Sequence, residues 1–347
     1  MPVEPPPHAG VPGLRVLVTG GAGFIGSHLV DALLARGDRV TVVDNLTTGR
    51  RANLPAQHPG LRFVEADLSA YLDRAQGEAD RFEQIYHLAA AVGVQLVMDD
   101  PIGSIRTNVD QAAALLDFAV SHGPGGGPAP TLIASSSEVY GKSAKMPFSE
   151  DDDVVYGPTT KGRWSYACSK ALDEFLALAY HRQRGLPVVV ARFFNTVGPR
   201  QVGEYGMVLP RFVRSALAGE NLTVHGDGRQ SRCFCDVRDI APACVRLVET
   251  PACHGRVFNL GSDRPISIAE LAQRVVSVLQ APGQPEFVPY HRVFAEGFED
   301  LRQRQPDLSR VRSAIGFEPR IGLDQTIRDL AASISATESV PVGERQR

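Results

Sequence analysis

The segment from Val18 to Gly26, Val-Thr-Gly-Gly-Ala-Gly-Phe-Ile-Gly, most constrains the fold of this 347-residue chain. Residues 14–18 are predicted to form a buried strand and 27–36 an amphipathic helix, so the glycines lie where a strand turns into a helix. Bare backbone and a helix N-terminus can hold a pyrophosphate there. Asp44 ends the next apolar run and can accept hydrogen bonds from an adenosine ribose. This pattern predicts a dinucleotide site, and NAD is favoured because a carboxylate would repel a 2′-phosphate.

Apolar runs alternate with helical patterns through the first 190 residues. The predicted strands are 14–18, 39–43, 61–64, 84–88, 131–135 and 187–191, and the predicted helices are 27–36, 102–121 and 165–184. This alternation predicts an α/β fold with a Rossmann-type, doubly wound parallel sheet that helices cover on both faces.

Shorter elements punctuated by proline and glycine follow residue 195. Helices are predicted at 207–218, 239–249, 267–280 and 307–315, and strands at 221–225 and 256–260. We expect a disordered arm at 1–13, an NAD-binding domain at 14–195 and a frayed tail at 336–347. Residues 196–335 are expected to form mainly a smaller α/β substrate-binding domain, interleaved with late elements of the first.

Charge and cysteine content exclude several function classes. With 36 basic and 39 acidic side chains, the chain has no electrostatic footprint for nucleic acid. No apolar stretch approaches a membrane span, and no signal peptide is visible. The five cysteines lack the spacing of metal ligands, so we predict no metal site and a reduced, cytoplasmic protein.

Tyr166 and Lys170 lie four residues apart at the start of a predicted helix, and therefore on one face. A phenol alone is a poor base at neutral pH. A neighbouring ammonium, together with a positive nicotinamide ring, favours the phenolate and lowers the pKa of the tyrosine. The pair is then a candidate general base for an alcohol whose carbon loses hydride to NAD.

Over residues 14–330 the chain resembles the extended short-chain dehydrogenase/reductase family that acts on nucleotide sugars. The landmarks that carry the resemblance are Thr19–Gly26, Asp44-Asn45, Asp67-Leu68, His87–Ala90, Asn108, Ser135–Gly141, Tyr166 with Lys170, Arg192–Asn195 with Gly198-Pro199-Arg200, and Arg232–Asp239. The resemblance implies a Rossmann domain with a small substrate domain, and a homodimer that pairs the helices at 102–121 and 165–184.

The resemblance also implies which residues hold NAD. Asp67 and Leu68 would flank the adenine, Leu88 to Ala90 would line the nicotinamide side, and Asn108 would support the Lys170 end of a proton relay. The full predicted set is Gly20, Gly23, Phe24, Ile25, Gly26, Asp44, Asn45, Thr48, Gly49, Asp67, Leu68, Leu88, Ala89, Ala90, Asn108, Tyr166, Lys170 and Phe193.

For the substrate, Ser136 stands where the family places the hydroxyl that bonds the reacting sugar, although a serine at a strand end can also cap the next turn. Asn195, Arg232 and Arg304 fall where relatives hold the nucleotide diphosphate and its ribose. Arg304 lies in a charged run for which a solvated helix is the alternative interpretation. The substrate set also includes Ser137, Leu209 and His225. His225 lies in a segment that resembles the one that packs on uracil in relatives, at a position where a tyrosine is common.

Three reactions begin alike, with Tyr166 taking the proton of the C4 hydroxyl to leave a 4-keto sugar. A 4,6-dehydratase needs an Asp-Glu pair, but Ser137-Glu138 stands here. Glu138, Arg304 and the sequence Arg163-Trp-Ser-Tyr166 match those of decarboxylases in the family. Against this, the acidic Glu204 would repel the carboxylate of the substrate.

A 4-epimerase needs the least extra machinery, because Ser136, Tyr166 and Lys170 suffice for it. We therefore predict a UDP-sugar 4-epimerase that converts UDP-glucuronate to UDP-galacturonate, with Glu138 as a fourth site residue. A UDP-glucuronate decarboxylase is the alternative. A non-catalytic NAD-sensing protein is the alternative of another class, and such proteins usually lose the tyrosine or the lysine.

Overall fold

A seven-stranded parallel sheet forms the centre of the protein. The computed structural model describes residues 13–75, 81–91, 100–203, 207–292 and 302–338. The first elements are β1 (Arg15–Thr19), α1 (Phe24–Ala35), β2 (Arg39–Asp44), β3 (Leu61–Glu65), α2 (Leu68–Ala75), β4 (Gln84–His87), α3 (Pro101–Ser121), β5 (Thr131–Ser136), α4 (Trp164–Arg184) and β6 (Val188–Phe193).

The later elements are shorter. They are β7 (Thr196–Val197), α5 (Val208–Leu217), β8 (Leu222–His225), β9 (Ser231–Cys233), β10 (Cys235–Asp236), α6 (Val237–Glu249), β11 (Arg256–Leu260), β12 (Pro265–Ser267), α7 (Ile268–Leu279), β13 (Pro285–Val288), β14 (Gln303–Arg304), α8 (Ser309–Ile315) and α9 (Leu323–Glu338).

The strand order is β11-β6-β5-β4-β1-β2-β3, and every pair in this sheet is parallel. The predicted Rossmann-type, doubly wound sheet is therefore confirmed. Its strands are rich in Val, Ile and Leu because helices cover both faces and bury most of the residues of every strand except the edge strand β3. The order reverses at β1, so the carboxyl ends of β1 and β4 flank the crevice in which such sheets bind ligands.

Three apolar clusters show how the chain is divided. Two of them cover the two faces of the large sheet, and the third joins α5, β8, α7 and α9 into a smaller second unit. The first cluster takes in α6, β11 and α8, so segments beyond residue 195 complete the first unit. The division into two domains and its bounds stay a prediction.

Several element predictions need correction. Both α2 and α9 were missed, and α1 begins at Phe24 rather than at residue 27, because the glycine turn passes directly into the helix. The tail predicted from residue 336 is helical as far as Glu338. The arm predicted at 1–13 lies outside the described residues except for Gly13, as do Glu204 and the rest of the tail.

Candidate active site

The glycine turn joins β1 to α1 and leaves no room for side chains. Gly20 has a φ of +69°, and a Cβ there would lie 2.7 Å from the backbone nitrogen of Ala89. A Cβ on Gly26 would lie 2.2 Å from the carbonyl oxygen of Gly20. Gly23 caps α1 without a side-chain hydrogen bond, and the first turn of the helix carries no acidic residue. Phe24 and Ile25 follow as partly buried residues, so the N-terminus of α1 can receive an anion.

Asp44 ends β2 beside this turn. Its carboxylate accepts hydrogen bonds from the amides of Ala22 at 2.9 Å and Leu46 at 2.8 Å. Burial raises the pKa of Asp44, and these backbone hydrogen bonds oppose the shift. Gly49 packs against the carboxylate, since a Cβ there would come within 2.8 Å of Oδ1. Asp44 is thus fixed in place by the backbone around it.

On the other side of Asp44, Asn45 Nδ2 donates to Asp67 Oδ1 at 2.8 Å. Both side chains are exposed, as is Thr48. Leu68 differs from the expectation, because its side chain is 4% exposed and packs in a core cluster with α2. The formation of α2 turns this leucine inward, so it does not offer its side chain to an adenine ring.

The segment after β4 lies against the glycine turn. The amide of Leu88 donates to the carbonyl of Thr19 at 3.1 Å, and that of Ala89 donates to the Thr19 hydroxyl at 3.3 Å. Leu88, Ala89 and Ala90 are partly buried here. Phe193, at the end of β6, is also partly buried, against the first apolar cluster.

Asn108 is buried and makes hydrogen bonds through both ends of its side-chain amide. Its Oδ1 accepts from the amide of Ala91 at 2.9 Å, and its Nδ2 donates to Ser169 Oγ at 3.1 Å. Lys170 is buried, and its Nζ donates to Asp173 Oδ2 at 2.9 Å. The buried carboxylate of Asp173 was missed by sequence reasoning. The spacing of three residues from Lys170 on one helix was the available signal.

Tyr166 is partly buried one turn before Lys170. Burial raises its pKa and the Glu138 carboxylate raises it further, whereas a hydrogen bond with the Ser136 side chain lowers it. The Lys170 ammonium therefore bonds Asp173, and the tyrosine makes its hydrogen bond with Ser136. The geometry joins a phenol and a hydroxyl beside a buried ion pair.

Ser136 and Glu138 lie where β5 passes into a short 3-10 helix, Ser137–Tyr140. Ser136 Oγ accepts from the amide of Glu138 at 3.2 Å, so this serine caps the turn and also faces Tyr166. Ser137 is buried. Behind the turn, Glu174 accepts two hydrogen bonds from Arg192, at 2.9 and 2.6 Å, in a second buried ion pair.

Glu138 lies between two arginines. Arg304 Nη1 is 2.5 Å from its Oε1, and Arg163 Nη2 is 3.7 Å from its Oε2. Burial alone would raise the pKa of Glu138, but the guanidinium of Arg304, followed by those of Arg163 and Arg232, brings it below the ordinary value. Glu138 is therefore a carboxylate at neutral pH.

Pairing of the short strands β9 and β14 brings Arg304 to this position. Residue 304 is in register with Arg232, and the two strands are parallel. Arg304 is therefore not on a solvated helix, and its side chain is only 10% exposed. Sequence reasoning missed β14, since a strand of two residues has no readable periodicity.

The remaining predicted substrate residues are dispersed around the second unit. Asn195 adopts a φ of +33° and its Nδ2 donates to the carbonyl of Cys233 at 3.3 Å. His225 ends β8, and its Nε2 lies 3.2 Å from Arg211 Nη1. Leu209 was predicted to contact the substrate, and this prediction needs correction. Its side chain lies on the apolar face of α5 and is completely buried in the core of the second unit.

The described ranges contain neither a cluster of metal ligands nor a membrane-spanning helix. Within 13–75, 81–91, 100–203, 207–292 and 302–338, no three His, Cys, Asp or Glu side chains are grouped so that they could hold a metal ion. Over those same ranges, every helix is too short or too polar to span a membrane.

The glycine turn, the acid after β2 and the Tyr166–Lys170 pair define a class of NAD-dependent enzymes. Residues 16–261 match the model of the NAD dependent epimerase/dehydratase family, and the chain belongs to that family. The dTDP-glucose 4,6-dehydratase DesIV from Streptomyces venezuelae was solved with NAD bound. It is 29% identical to this chain, with a TM-score of 0.80. NAD is accordingly the cofactor of this chain.

Curated relatives and structural neighbours differ in the reaction they name. UDP-N-acetyl-alpha-D-glucosaminuronate decarboxylase of Bacillus cytotoxicus is 39% identical over 91% of this chain and 96% of its own length. UDP-glucuronic acid decarboxylase 2 of Arabidopsis thaliana is 38% identical over 90% of this chain and 66% of its own. The UDP-glucuronic acid 4-epimerase of Bacillus cereus, solved with UDP-glucuronic acid and NAD, has a TM-score of 0.80 at 25% identity, over 93% of this chain and 99% of its own. The chain is thus an enzyme of the NAD-dependent UDP-sugar epimerase and decarboxylase group.

Proposed function

We propose that this enzyme is an NAD-dependent UDP-hexuronate decarboxylase, acting on UDP-glucuronate or its 2-N-acetylated counterpart. The observation that carries the proposal is the partly buried Glu138, ionised by Arg304 and Arg163 beside Tyr166. The curated relatives at 38–39% identity are decarboxylases of this kind. This departs from the preference for a 4-epimerase that the sequence alone suggested.

The residues around the crevice of the large sheet fit NAD. The crowding at Gly20 and Gly26 leaves backbone alone to face a pyrophosphate, and the buried carboxylate of Asp44 can accept hydrogen bonds from a ribose. We assign the adenine end to the Asn45–Asp67 pair and the nicotinamide end to Leu88–Ala90. NAD held there would supply a reversible acceptor for the C4 hydride of the sugar.

Tyr166 is the proposed base, and Ser136 holds the reacting hydroxyl. Removal of the proton from the C4 hydroxyl and of the hydride from C4 leaves a ketone at C4. The C6 carboxylate is then attached to C5, the carbon next to this carbonyl. The C5–C6 bond breaks, carbon dioxide leaves, and its electron pair moves toward the C4 oxygen, where the Tyr166 hydroxyl stabilises it. C5 then gains a proton, and we assign its delivery to a water molecule oriented by Glu138.

A 4-epimerase is the second candidate, favoured by the fold similarity to the Bacillus cereus enzyme and to UDP-N-acetylglucosamine 4-epimerase from Methanobrevibacter ruminantium, which has a TM-score of 0.83 at 29% identity. In that reaction the keto sugar rotates, and Glu138 is not needed for a chemical step. The two candidates therefore differ in their dependence on Glu138.

The deciding experiment is mass spectrometry with proton NMR on UDP-glucuronate incubated with the enzyme and catalytic NAD. Loss of the mass of carbon dioxide, with a pentose spectrum, is the expected result. An unchanged mass with new galacto-type C4 couplings would instead establish the 4-epimerase. No reaction with any UDP-sugar, together with NADH-dependent binding of a partner, would revive the non-catalytic alternative.

Glu138→Gln separates the two chemistries further. It keeps the shape of the side chain but removes the charge that Arg304 and Arg163 surround. We expect decarboxylation to fall by about 10²–10⁴-fold, the range for a group that acts in proton transfer. An epimerase would only be slowed, so near-normal turnover in this variant would contradict the proposal.

We also propose a homodimer. Ile102 and Ile105 on α3, and Leu172 and Phe175 on α4, are large apolar side chains that the single chain leaves exposed. Because α3 and α4 pack together, these residues can form one apolar surface suited to a two-fold interface. Light scattering is expected to give twice the chain mass, and Phe175→Glu to give a monomer. A monomeric wild-type protein would count against this.

A further inference from the structure

Asn259 joins three separate segments of the chain beside the site. It lies on β11, is completely buried, and its backbone amide donates to Glu150 Oε1 at 2.9 Å. Its side-chain Oδ1 accepts from the Tyr140 hydroxyl at 2.7 Å. Its Nδ2 donates to the carbonyl of Phe148 at 2.9 Å and to that of Asp307 at 3.2 Å. Both donors and the acceptor of this side-chain amide are therefore in use, each toward a different segment.

The Tyr140 side of this arrangement leads to Glu138. Tyr140 ends the short 3-10 helix that also carries Glu138, and the amide of Gly141 donates to the carbonyl of Glu138 at 3.0 Å. The Tyr140 ring is completely buried and stacks on Phe148, with 4.5 Å between the ring centres and 6° between the planes. Because Glu138 and Tyr140 share a single turn of backbone, the anchoring of Tyr140 also fixes the backbone of Glu138.

The other side leads to Arg304. The amide of Phe148 donates to the carbonyl of Gln305 at 2.8 Å, and the amide of Asp307 donates to the carbonyl of Phe148 at 2.8 Å. Phe148 therefore runs alongside the residues that directly follow Arg304. Since Asn259 Nδ2 donates to the carbonyls of both Phe148 and Asp307, it holds this contact together.

The geometry of the pair between Glu138 and Arg304 depends on both of these backbones. The strand β14 contains two residues, so its pairing with β9 supplies few hydrogen bonds to hold Arg304 in place. The two side chains approach to 2.5 Å, and such a bond weakens once donor and acceptor move beyond about 3.2 Å. Displacement of a reacting group by about 1 Å can cost about 10²-fold in rate. The pair therefore needs a support that fixes the two segments relative to each other.

We propose that Asn259 is a positioning residue, which holds the turn of Glu138 and the strand of Arg304 at the separation that their ion pair needs. It acts on Glu138 through Tyr140, and on Arg304 through the contact between Phe148 and residues 305–307. This inference rests on the proposed function, because it takes Glu138 to act in the reaction.

The test compares two completely buried tyrosines that each lose one hydroxyl. Tyr140→Phe removes the hydrogen bond to Asn259 and keeps the ring that stacks on Phe148. Tyr86→Phe is the matched control, since the Tyr86 hydroxyl donates to Gln84 Oε1 at 3.0 Å on β4. Both variants should melt a few degrees below the wild type, because each loses one buried hydrogen bond.

Turnover separates the two variants. Tyr140→Phe should lower the kcat of carbon dioxide release by about tenfold and change KM by less than about twofold, because the displacement affects the reaction step rather than binding. Tyr86→Phe should keep the wild-type kcat. Asn259→Ala removes the joining side chain itself, leaves the Arg192 guanidinium over the Tyr140 ring, and should lower kcat by about 10²-fold.

Arg304→Gln shows whether the effect runs through the ion pair. In this background the contact that Asn259 positions is already lost, so adding Tyr140→Phe should lower kcat by less than about a further twofold. A residue that only stabilises the fold would give the same loss in both backgrounds, and that result would overturn the proposal.

A titration of Glu138 tests the same point without turnover. Carbon-13 NMR of the side-chain carboxyl carbon, assigned by the loss of its signal in Glu138→Gln, measures the pKa. Burial raises the pKa of Glu138 and the Arg304 guanidinium lowers it, so loosening the pair in Tyr140→Phe should raise this pKa. The titration of Glu138 in Tyr86→Phe should match that in the wild type.

Unchanged kcat in Tyr140→Phe, or an equal fall in Tyr86→Phe, would contradict the assignment. If Asn259→Ala does not fold, Tyr140→Phe decides the question alone. Failure of the decarboxylase proposal would appear separately, as absence of carbon dioxide release by the wild-type enzyme. The titration then decides whether Asn259 positions the pair, and an unchanged pKa of Glu138 in Tyr140→Phe would show that it does not.

Discussion

At the scale of single residues, Tyr166 is held in surroundings that oppose its own ionisation. Burial and the Glu138 carboxylate both raise its pKa, and Lys170 Nζ donates a hydrogen bond to Asp173. If Tyr166 is the base, as proposed, its phenolate would have to be stabilised in the complex with NAD and substrate, by Ser136, Lys170 and the positive nicotinamide ring. Such a base would form only once the substrate is in place.

Tyr166→Phe tests the assigned base. Removing one hydroxyl should lower turnover by at least about 10²–10⁴-fold, because proton transfer from the C4 hydroxyl is lost. Affinity for the UDP-sugar should stay within a few-fold, since the nucleotide contacts are elsewhere. Single-turnover release of carbon dioxide, paired with calorimetric titration, measures both quantities. Retained turnover would remove Tyr166 from the mechanism.

Asp44→Asn tests the proposed ribose acceptor. The carboxylate is fixed by the amides of Ala22 and Leu46, and an amide side chain cannot accept as many hydrogen bonds or repel a 2′-phosphate. We expect affinity for NAD to fall by about 10–100-fold and the preference over NADP to narrow. Asp110→Asn, on the exposed face of α3, is the control. Unaltered titration curves for both cofactors would contradict the assignment.

At the scale of elements, the turn between β1 and α1 depends on close backbone contact. Gly26 lies against the carbonyl of Gly20, and a methyl group there would have to displace backbone rather than a flexible side chain. The N-terminus of α1 can therefore lie this close to the end of β1 only because residue 26 is a glycine. Small residues here thus serve both packing and the anion site.

Gly26→Ala should accordingly weaken NAD binding by at least tenfold, as the loop moves away from α1, and lower the melting temperature. Gly322→Ala is the control, because a Cβ at that position meets nothing within 4 Å. Thermal melts with and without NAD measure both effects. Equal melting behaviour of the two variants would show that the turn tolerates a side chain.

At the scale of the whole molecule, a buried histidine in the large sheet makes the stability of the protein depend on pH. His87, at the end of β4, is 1% exposed and bonded to Thr19, and burial, with a smaller effect of the Lys170 charge, lowers its pKa to about 3. Below pH 6.5 the unfolded chain binds a proton that the folded protein excludes. The free energy of unfolding therefore decreases as pH falls from about 6.5 toward 3. This group contributes a decrease of about 1.4 kcal/mol per pH unit.

His87→Gln should remove that contribution. Its free energy of unfolding, measured by urea titration, should fall less steeply between pH 6.5 and 5 than that of the wild type. The exposed His58→Gln should keep the wild-type slope. Parallel slopes for the wild type and the His87 variant would assign acid sensitivity to other groups.

Local chemistry made much of this protein predictable. The strand–glycine–helix pattern at 14–36 and the spacing of Tyr166 and Lys170 required no distant partner, and the parallel sheet follows from alternating apolar runs. Leu68 and Leu209 were mispredicted because an apolar residue reads the same whether it faces a ligand or a core. The helix α2 was missed because it is short, and α9 because its polar residues hide a weak periodicity.

The sequence by itself determined the Rossmann sheet, NAD as cofactor and the family, because each depends on residues close together in the chain. Only the tertiary structure decided the partner of Lys170, the inward position of Leu209, and the enclosure of Glu138 by Arg163 and Arg304. Arg304 is 166 positions from Glu138, and its approach depends on β14 adding to β9. A contact between residues so far apart is fixed by packing of the whole chain, which no local pattern encodes.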